Sequence, residues 1–422
     1  MVSLVFPLDE RPRLRPVEII PIQDERRRGL VLRDPADLEI PPIVVSDGAI
    51  EILALLDGER TVEAVFAALQ LGGFGATADQ VRRFLEQLDA AGYLEGARAR
   101  YRLQQRVEQF RSQTVRVARH AGGAYPDSID ELPRMLAAGY LHADGPGALP
   151  GTRANTKPPL HALIAPHVDL HRGAPTYSWA YKALAEAQPA ELYVILGTCH
   201  TRVLGGFAAT DKAYDTPLGA VPSDAAFIER LGQLWGQDLF AGEFSHAAEH
   251  SIEFQTVYLR SLGLAGEGTA PIVPILCDSL HTLVPPGRPP REAARVADFL
   301  GALQQALAED GRSTTVIAAV DLAHIGPRFG DPWLVDPSRL DSVAQADREL
   351  LAQVLEPNAD AYFEHVMRDG DARRICGFTP LYLVAALMES QQRAGSLLRY
   401  TQWAAPDGSS SVTFASAVYS SQ

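Results

Sequence analysis

Several features are scarce in this chain, and each scarcity excludes something. No run of about 18 apolar residues occurs, so neither a membrane span nor a membrane partner is expected. Cysteine appears at Cys199, Cys277 and Cys376 only, widely spaced and never as Cys-x-x-Cys. That argues against a disulfide framework and against a zinc ribbon, and leaves free thiols. The start, Met1-Val2-Ser3 running to Asp9-Glu10-Arg11, lacks the basic flank, apolar stretch and cleavage site of a signal peptide. A cytoplasmic location is the expectation. Basic residues are outnumbered, with 38 Lys plus Arg against 52 Asp plus Glu and a net charge of −14. Broad nucleic-acid binding, which needs a basic face, is therefore not expected. Neither Gly-x-Gly-x-x-Gly nor a P-loop occurs, so nucleotide binding has no support. Internal repeats are also missing.

What is present is 422 residues, 46% of them hydrophobic and 21% charged. This is ample for more than one core, and roughly 150 residues per domain gives two or three domains. Residues 11 to 40 alternate around Val17, Ile19, Ile20 and Gly29-Leu30-Val31-Leu32, which predicts short strands or a hairpin. From Ser46 the period becomes helical. Ser46 or Asp47 can cap a helix with Ile50, Ile52, Leu53, Leu55 and Leu56 as its apolar positions. Thr61 starts a second helix, and Thr77 caps a third over Val81 to Ala91, closed by Gly92. Three short helices with strand material predict a small winged-helix-like domain over residues 1–100.

The stretches from Ile52-Leu53-Ala54-Leu55-Leu56-Asp57-Gly58 to Thr61-Val62, and Phe84-Leu85-Glu86-Gln87-Leu88 to Gly92-Tyr93-Leu94, resemble the domains similar to the pyrroloquinoline-quinone biosynthesis peptide chaperone (PqqD-like). That resemblance implies a peptide partner, captured at a sheet edge. A structural or dimerising domain is the other reading. A polar, Arg-rich helix from about Leu103 to Val117, within a linker over 101–114, presents a solvated face.

From Leu160 strands and helices alternate. Leu160–Ala165, Leu192–Gly197, Ile272–Leu276 and Thr314–Val320 read as strands. Helices are expected at Trp179–Ala187, Arg291–Ala308 and Ala344–Val354. The succession predicts an α/β domain over 115–422 around a mainly parallel sheet. Polar residues cluster where these strands end: His167 with Asp169 and His171, Cys199-His200, and Asp321 with His324 and Arg328. Ligands of open α/β sheets sit outside the carboxyl ends of the strands, so one site built from these loops is expected. Glu249-His250-Ser251-Ile252-Glu253, at a helix start, is a fourth contributor whose imidazole and carboxylates can face the same pocket.

Pro166-His167, Gly197-x-x-His200, Glu249-His250-Ser251-Ile252-Glu253, Asp321-x-x-His324-x-Gly-x-Arg328-Phe329 and Ile375-Cys376-Gly377 occur in the order seen in the Memo family, whose microbial members are called AmmeMemoRadiSam system protein B. The resemblance extends through His120-Ala121-Gly122-Gly123-Ala124-Tyr125-Pro126, Thr216-Pro217-Leu218-Gly219 and Ser411-Val412-Thr413-Phe414-Ala415. It implies a class III extradiol-dioxygenase-like α/β fold and a metal held at His167, His200 and Cys376. Two imidazoles and a thiolate suit Fe(II) or Cu(I), with zinc also admissible. Apart from the resemblance, Cys376 reads as a small buried hydrophobe.

His324 then matches an acid/base histidine, while Asp321 orients a ligand or joins the coordination. His250 and Glu249 become pocket groups, grouped with His324 and Asp321 as the catalytic set. Asp169, where many relatives have Gly, and His171 add pocket polarity. Arg328 either holds an anionic substrate group or pairs with a surface acid. The family name also implies radical-SAM and AMMECR-type protein partners. Three functions follow: a metal-dependent oxidoreductase, a non-catalytic metal- or peptide-binding partner of a radical-SAM system, or a scaffold.

Overall fold

The computed structural model describes residues 8–23, 28–33, 40–151 and 159–420, except the side chains of Pro21, Gln23 and Arg28. The chain divides into two compact units, Met1–Ser112 and Gln113–Gln422.

The first unit runs β1 (Arg13–Leu14), β2 (Glu18–Gln23), β3 (Arg28–Arg33), β4 (Ile43–Val45), α1 (Ala49–Leu53), α2 (Val62–Leu71), α3 (Ala78–Ala91), β5 (Leu94–Glu95) and α4 (Ala97–Ser112). Strands β2, β3 and β4 form an antiparallel sheet, and β1 pairs with β5. Thr61 caps α2 by accepting from Ala64 N. Thr77 and Gln80 form a reciprocal capping box on α3, and Gly92, at φ 92°, closes that helix in the left-handed region. The expected first helix is shorter than its apolar pattern suggests. Gly48, not Ser46 or Asp47, stands at its start without a side-chain cap, and Ile50 is exposed. The core gathers Leu32, Ile52, Leu53, Leu56, Val65, Leu69, Val81, Leu85, Leu88 and Tyr93. The Tyr93 hydroxyl donates to Leu32 O at 2.8 Å. The Arg-rich helix expected over 103–117 occupies Ala97–Ser112 and buries Phe110 alone, as a solvated helix should.

The second unit runs β6 (Val115–Arg116), α5 (Glu131–Leu141), β7 (Leu160–Ala165), α6 (Leu170–Glu186), β8 (Leu192–Thr198), β9 (Phe207–Ala209), β10 (Ala213–Tyr214), α7 (Ala225–Trp235), α8 (Ser251–Ser261), β11 (Ile272–Cys277), α9 (Leu280–Leu283), α10 (Ala294–Asp310), β12 (Thr314–Ala319), β13 (His324–Ile325), α11 (Pro337–Leu355), α12 (Ala359–Met367), α13 (Phe378–Ser390), β14 (Ser396–Ala404) and β15 (Ser411–Ser420). The sheet order is β13-β15-β7-β12-β8-β11-β9, with β14 paired to β15. The four expected strands form its parallel centre, and antiparallel β15 and β9 flank them. The fold is therefore mixed α/β.

Strand periodicity sorts the side chains. Ala162, Ile164, Val194, Leu196, Val273, Ile275, Val316 and Ala318 face one core, which α7, α10, α11, α12 and α13 cover. Leu163, Ala165, Tyr193, Ile195, Ile272, Leu276, Ile317 and Ala319 face the other, covered by α5, α6 and α8. Burial on both faces explains why these strands read as unbroken apolar runs. Helix α6 starts at Leu170, well before the expected Trp179. Asp169 caps it by accepting from Arg172 N, and the interior Pro175 is absorbed.

One close approach sets the geometry of the site. A Cβ on Gly197 would lie 2.6 Å from Ile252 Cγ1 and 2.7 Å from Ser251 Oγ, so glycine lets the start of α8 rest directly on β8. The Ser251 hydroxyl then donates to Thr198 O at 2.8 Å. Gly197→Ala is expected to cost about 1–3 kcal/mol by overpacking, read from chemical denaturation; an unchanged midpoint would refute the tight approach.

Candidate functional site

Register brings three strand ends level. Ala319 of β12 lies opposite Ala165 of β7 and Gly197 of β8. His167 and Asp321 each follow two residues beyond this line, and His200 follows three residues beyond. The helix start held by Gly197 adds His250, and the turn before α13 adds Cys376. His167, His200 and His250 each offer a ring nitrogen, and these atoms lie within 4.8 Å of one another. The His200 and His250 rings are 4.7 Å apart and nearly parallel. The ring of His167 meets them edge-on at 5.0 and 5.4 Å. Cys376 Sγ lies 3.3 Å from His167 Nε2.

The surrounding groups fix which nitrogen each ring presents. His167 Nδ1 donates to Ala319 O at 3.0 Å, leaving Nε2 toward Cys376. His200 Nδ1 lies 3.1 Å from both Glu249 oxygens, and His250 Nδ1 lies 3.2 Å from Glu249 Oε1. The same carboxylate accepts the backbone N–H of His200 at 2.8 Å, of His250 at 2.8 Å and of Ser251 at 3.0 Å. Glu249 is thus the buried clamp between the β8 loop and α8, and it orients two imidazoles as carboxylates do behind metal-binding histidines.

Electrostatics follow from burial. Desolvation brings His167 down to about 3 and holds His250 well below the ordinary histidine value. Both therefore stay neutral at physiological pH, the form that ligates. Burial opposes charge on His200 too, but the Glu249 carboxylate reverses this and raises it. Glu249 itself, despite burial, is held well below the usual carboxylate range by His200 and His250. Burial pushes Asp321 up to about 6, and burial together with the Asp321 charge pushes the Cys376 thiol well up.

Asp321 Oδ1 accepts from His167 N at 3.0 Å and Val168 N at 3.3 Å, while Oδ2 sits 3.7 Å from His167 Nε2. His324 Nδ1 donates to Leu322 O at 3.1 Å, which leaves Nε2 as its basic nitrogen. Its ring meets Phe329 edge-on at 5.0 Å. The remaining expected residues make other contacts. Asp169 is occupied as the α6 cap and pairs with Arg172. His171 is exposed on the first turn of α6. Arg328 is exposed.

Sequence reasoning missed the support beneath the site. Glu253 turns away from the histidines. Its carboxylate takes the hydrogen bonds of the Arg116 guanidinium, the Tyr125 hydroxyl and, at 2.9 Å, His120 N. Arg116 and Glu253 are both fully buried. Arg116 also donates to His246 O at 2.9 Å and Glu249 O at 2.7 Å, which pins the segment that carries Glu249 and His250. Gly377 is the second missed element. A Cβ there would meet Val320 Cβ at 2.5 Å and Asp321 O at 2.8 Å, so glycine lets Cys376 approach Asp321. The available signals were Gly197, three residues before His200, and Gly377, directly after Cys376.

Glu253→Gln leaves the buried Arg116 uncompensated and is expected to cost about 3–5 kcal/mol, read from the denaturation midpoint. Arg116→Met combined with Glu253→Gln should recover part of that loss. A single variant as stable as the parent would contradict the ion pair's role.

Comparison with known proteins bears on both units. A family profile described as "Memo-like protein" matches residues 116–418. A "MEMO1 family protein" of Aquifex aeolicus is 25% identical over 411 residues, covering 97% of this chain and 100% of that protein. The Methanopyrus kandleri "MEMO1 family protein MK0963" is 32% identical over 286 residues, covering 66% of this chain and 89% of that protein. A Methanocaldococcus jannaschii relative, "MEMO1 family protein MJ0403", is 29% identical over 289 residues, 67% of this chain and 88% of its own. The order of strand-end motifs and the profile match lead to one conclusion: the chain belongs to the Memo-like family.

Proposed function

We propose that this Memo-like protein is a metal-dependent oxidoreductase whose fold is related to the class III extradiol dioxygenases. The observation that carries the reading is the convergence of three imidazoles, at His167, His200 and His250, beside the Cys376 thiol. Neutral imidazoles with a thiolate favour iron, copper or zinc over magnesium or calcium, and a soft donor set leans toward Cu(I) or Fe(II). His167, His200 and Cys376 would hold the metal, and His250 is a further donor on the more open side, where His200 is 41% exposed. A bound iron or copper ion would supply Lewis acidity and one-electron redox chemistry. Around it, Glu249 orients His200 and His250, Asp321 holds the His167 backbone, and His324 Nε2 accepts or returns a proton on the substrate. Partly exposed His200 and His250 leave room for a substrate on that side, while His167, 2% exposed, anchors the floor.

A second reading has one favouring observation, the separate small unit with its own three-stranded antiparallel sheet. On this reading the unit is a PqqD-like winged-helix domain that presents a peptide. The second unit then serves a radical-SAM or AMMECR-type protein as a non-catalytic metal carrier.

Elemental analysis of untagged protein and of the His167→Ala, His200→Ala and Cys376→Ala variants tests the first reading. Near-stoichiometric iron or copper in the parent, lost in all three variants, is expected. A parent that holds none, and takes up neither Fe(II) nor Cu(I) when supplied, would overturn it. Affinity should also fall as pH is lowered. Protons compete at His200, whose titration Glu249 raises, and the Cys376 proton must leave on binding; a pH-independent affinity would exclude the thiol.

A further inference from the structure

Asp347 lies on α11, a helix that carries none of the candidate site residues, and is fully buried. A buried carboxylate needs partners, and this one has three. It takes the guanidinium of Arg373 on one oxygen. On the other it accepts the Tyr400 hydroxyl at 2.9 Å and the Thr413 hydroxyl at 2.6 Å. Two of these partners reach the site from opposite sides. Thr413 Oγ1 accepts from Ala323 N at 2.9 Å, and the Thr413 backbone pairs with Ala323 O at 3.0 Å and Leu322 N at 2.7 Å. Thr413 therefore fixes the loop Asp321–His324. Arg373 belongs to the segment 371–376 that leads to Cys376, and its carbonyl accepts from His324 N at 2.7 Å.

That segment is not a relaxed turn. Asp371 and Arg374 hold φ at 60° and 53° without being glycine, a conformation that persists only where surroundings impose it. The restraints are visible. Asp371 Oδ1 accepts from Ile375 N at 2.9 Å. Arg374 donates to His324 O at 3.1 Å and to Asp331 Oδ1 at 2.7 Å.

We propose that Asp347 is a positioning residue that locks the strap carrying Cys376 to the loop carrying His324, acting through Arg373 and Thr413. The proposal deepens the reading of Cys376 as a ligand and rests on it for its purpose. A buried ion pair contributes little net stability against an apolar substitute, so its use here is placement. It holds a thiol and an imidazole, 52 residues apart in sequence, in one register. Asp347→Asn keeps the shape but removes the charge, and its NH2 must face either the Arg373 guanidinium or the two hydroxyl donors.

The test is iodoacetamide labelling of the metal-free full chain, read cysteine by cysteine through peptide mass spectrometry. Cys199 and Cys277 are buried in the same unit and report global opening. In Asp347→Asn the Cys376 labelling rate is expected to rise about ten-fold through local release of the strap, with Cys199 and Cys277 still protected. Arg373→Gln, at a position 13% exposed, gives the same result should Asp347→Asn fail to fold. Leu350→Ala, a fully buried core change on the same helix, should destabilise without selective labelling. An unchanged Cys376 rate, or a rise shared equally by Cys199 and Cys277, overturns the proposal. Cobalt(II) addition separates the two claims. A thiolate-to-cobalt absorption band present in the parent and weakened in Asp347→Asn supports both. A parent that binds no cobalt fails the metal reading, while the labelling result still decides the positioning role.

Discussion

The Glu249 carboxylate is the constraint on which the site depends. It is 5% exposed yet gathers the His200 ring, the His250 ring and three backbone N–H groups. A buried charge of this kind is tolerable only when fully hydrogen-bonded. Meeting that demand forces the β8 loop and the start of α8 into contact. Gly197 removes the steric obstacle, Ser251 bonds across the gap, and the Arg116–Glu253 pair holds the far side of the same segment. Two imidazoles are then oriented before anything binds.

The other half of the site is built by different means. His167 is fixed by its ring Nδ1, which donates to Ala319 O at the end of β12, and by its backbone N–H, which donates to the Asp321 carboxylate. Cys376 reaches it because Gly377 lets the turn before α13 press on Val320 and Asp321. Five sequence-distant segments thus meet at the carboxyl edge of the sheet's parallel centre, where open α/β folds place ligands. The fold alone does not specify the chemistry. The proposed chemistry rests on the donor types instead: neutral nitrogens, one thiol, and acids held one layer behind them.

Much of this was legible in the sequence. The parallel strands are buried on both faces and announce themselves as apolar runs ending in His or Asp. Thr61 and Thr77 marked helix starts that their side chains do cap. Less legible was anything decided by distant packing. Helix α6 begins nine residues before Trp179, because the Asp169 cap outweighs the break that Pro175 suggests. Strands β14 and β15 and helix α13 escaped the reading of strand–helix alternation. The Arg116–Glu253 pair joins residues 137 apart, and no local pattern announces such a partner. Asp169 shows how a polar residue beside a site motif can also serve the fold, here as the cap of α6.

The central claim is that imidazoles and the Cys376 thiolate together hold one metal at the sheet edge. X-ray absorption on zinc-loaded protein measures this most directly, since sulfur and nitrogen scatterers are resolved at about 2.3 and about 2.0–2.1 Å. One sulfur with two or three imidazole nitrogens is expected in the parent, and no sulfur in Cys376→Ser. A first shell of nitrogen and oxygen alone in the parent would contradict it.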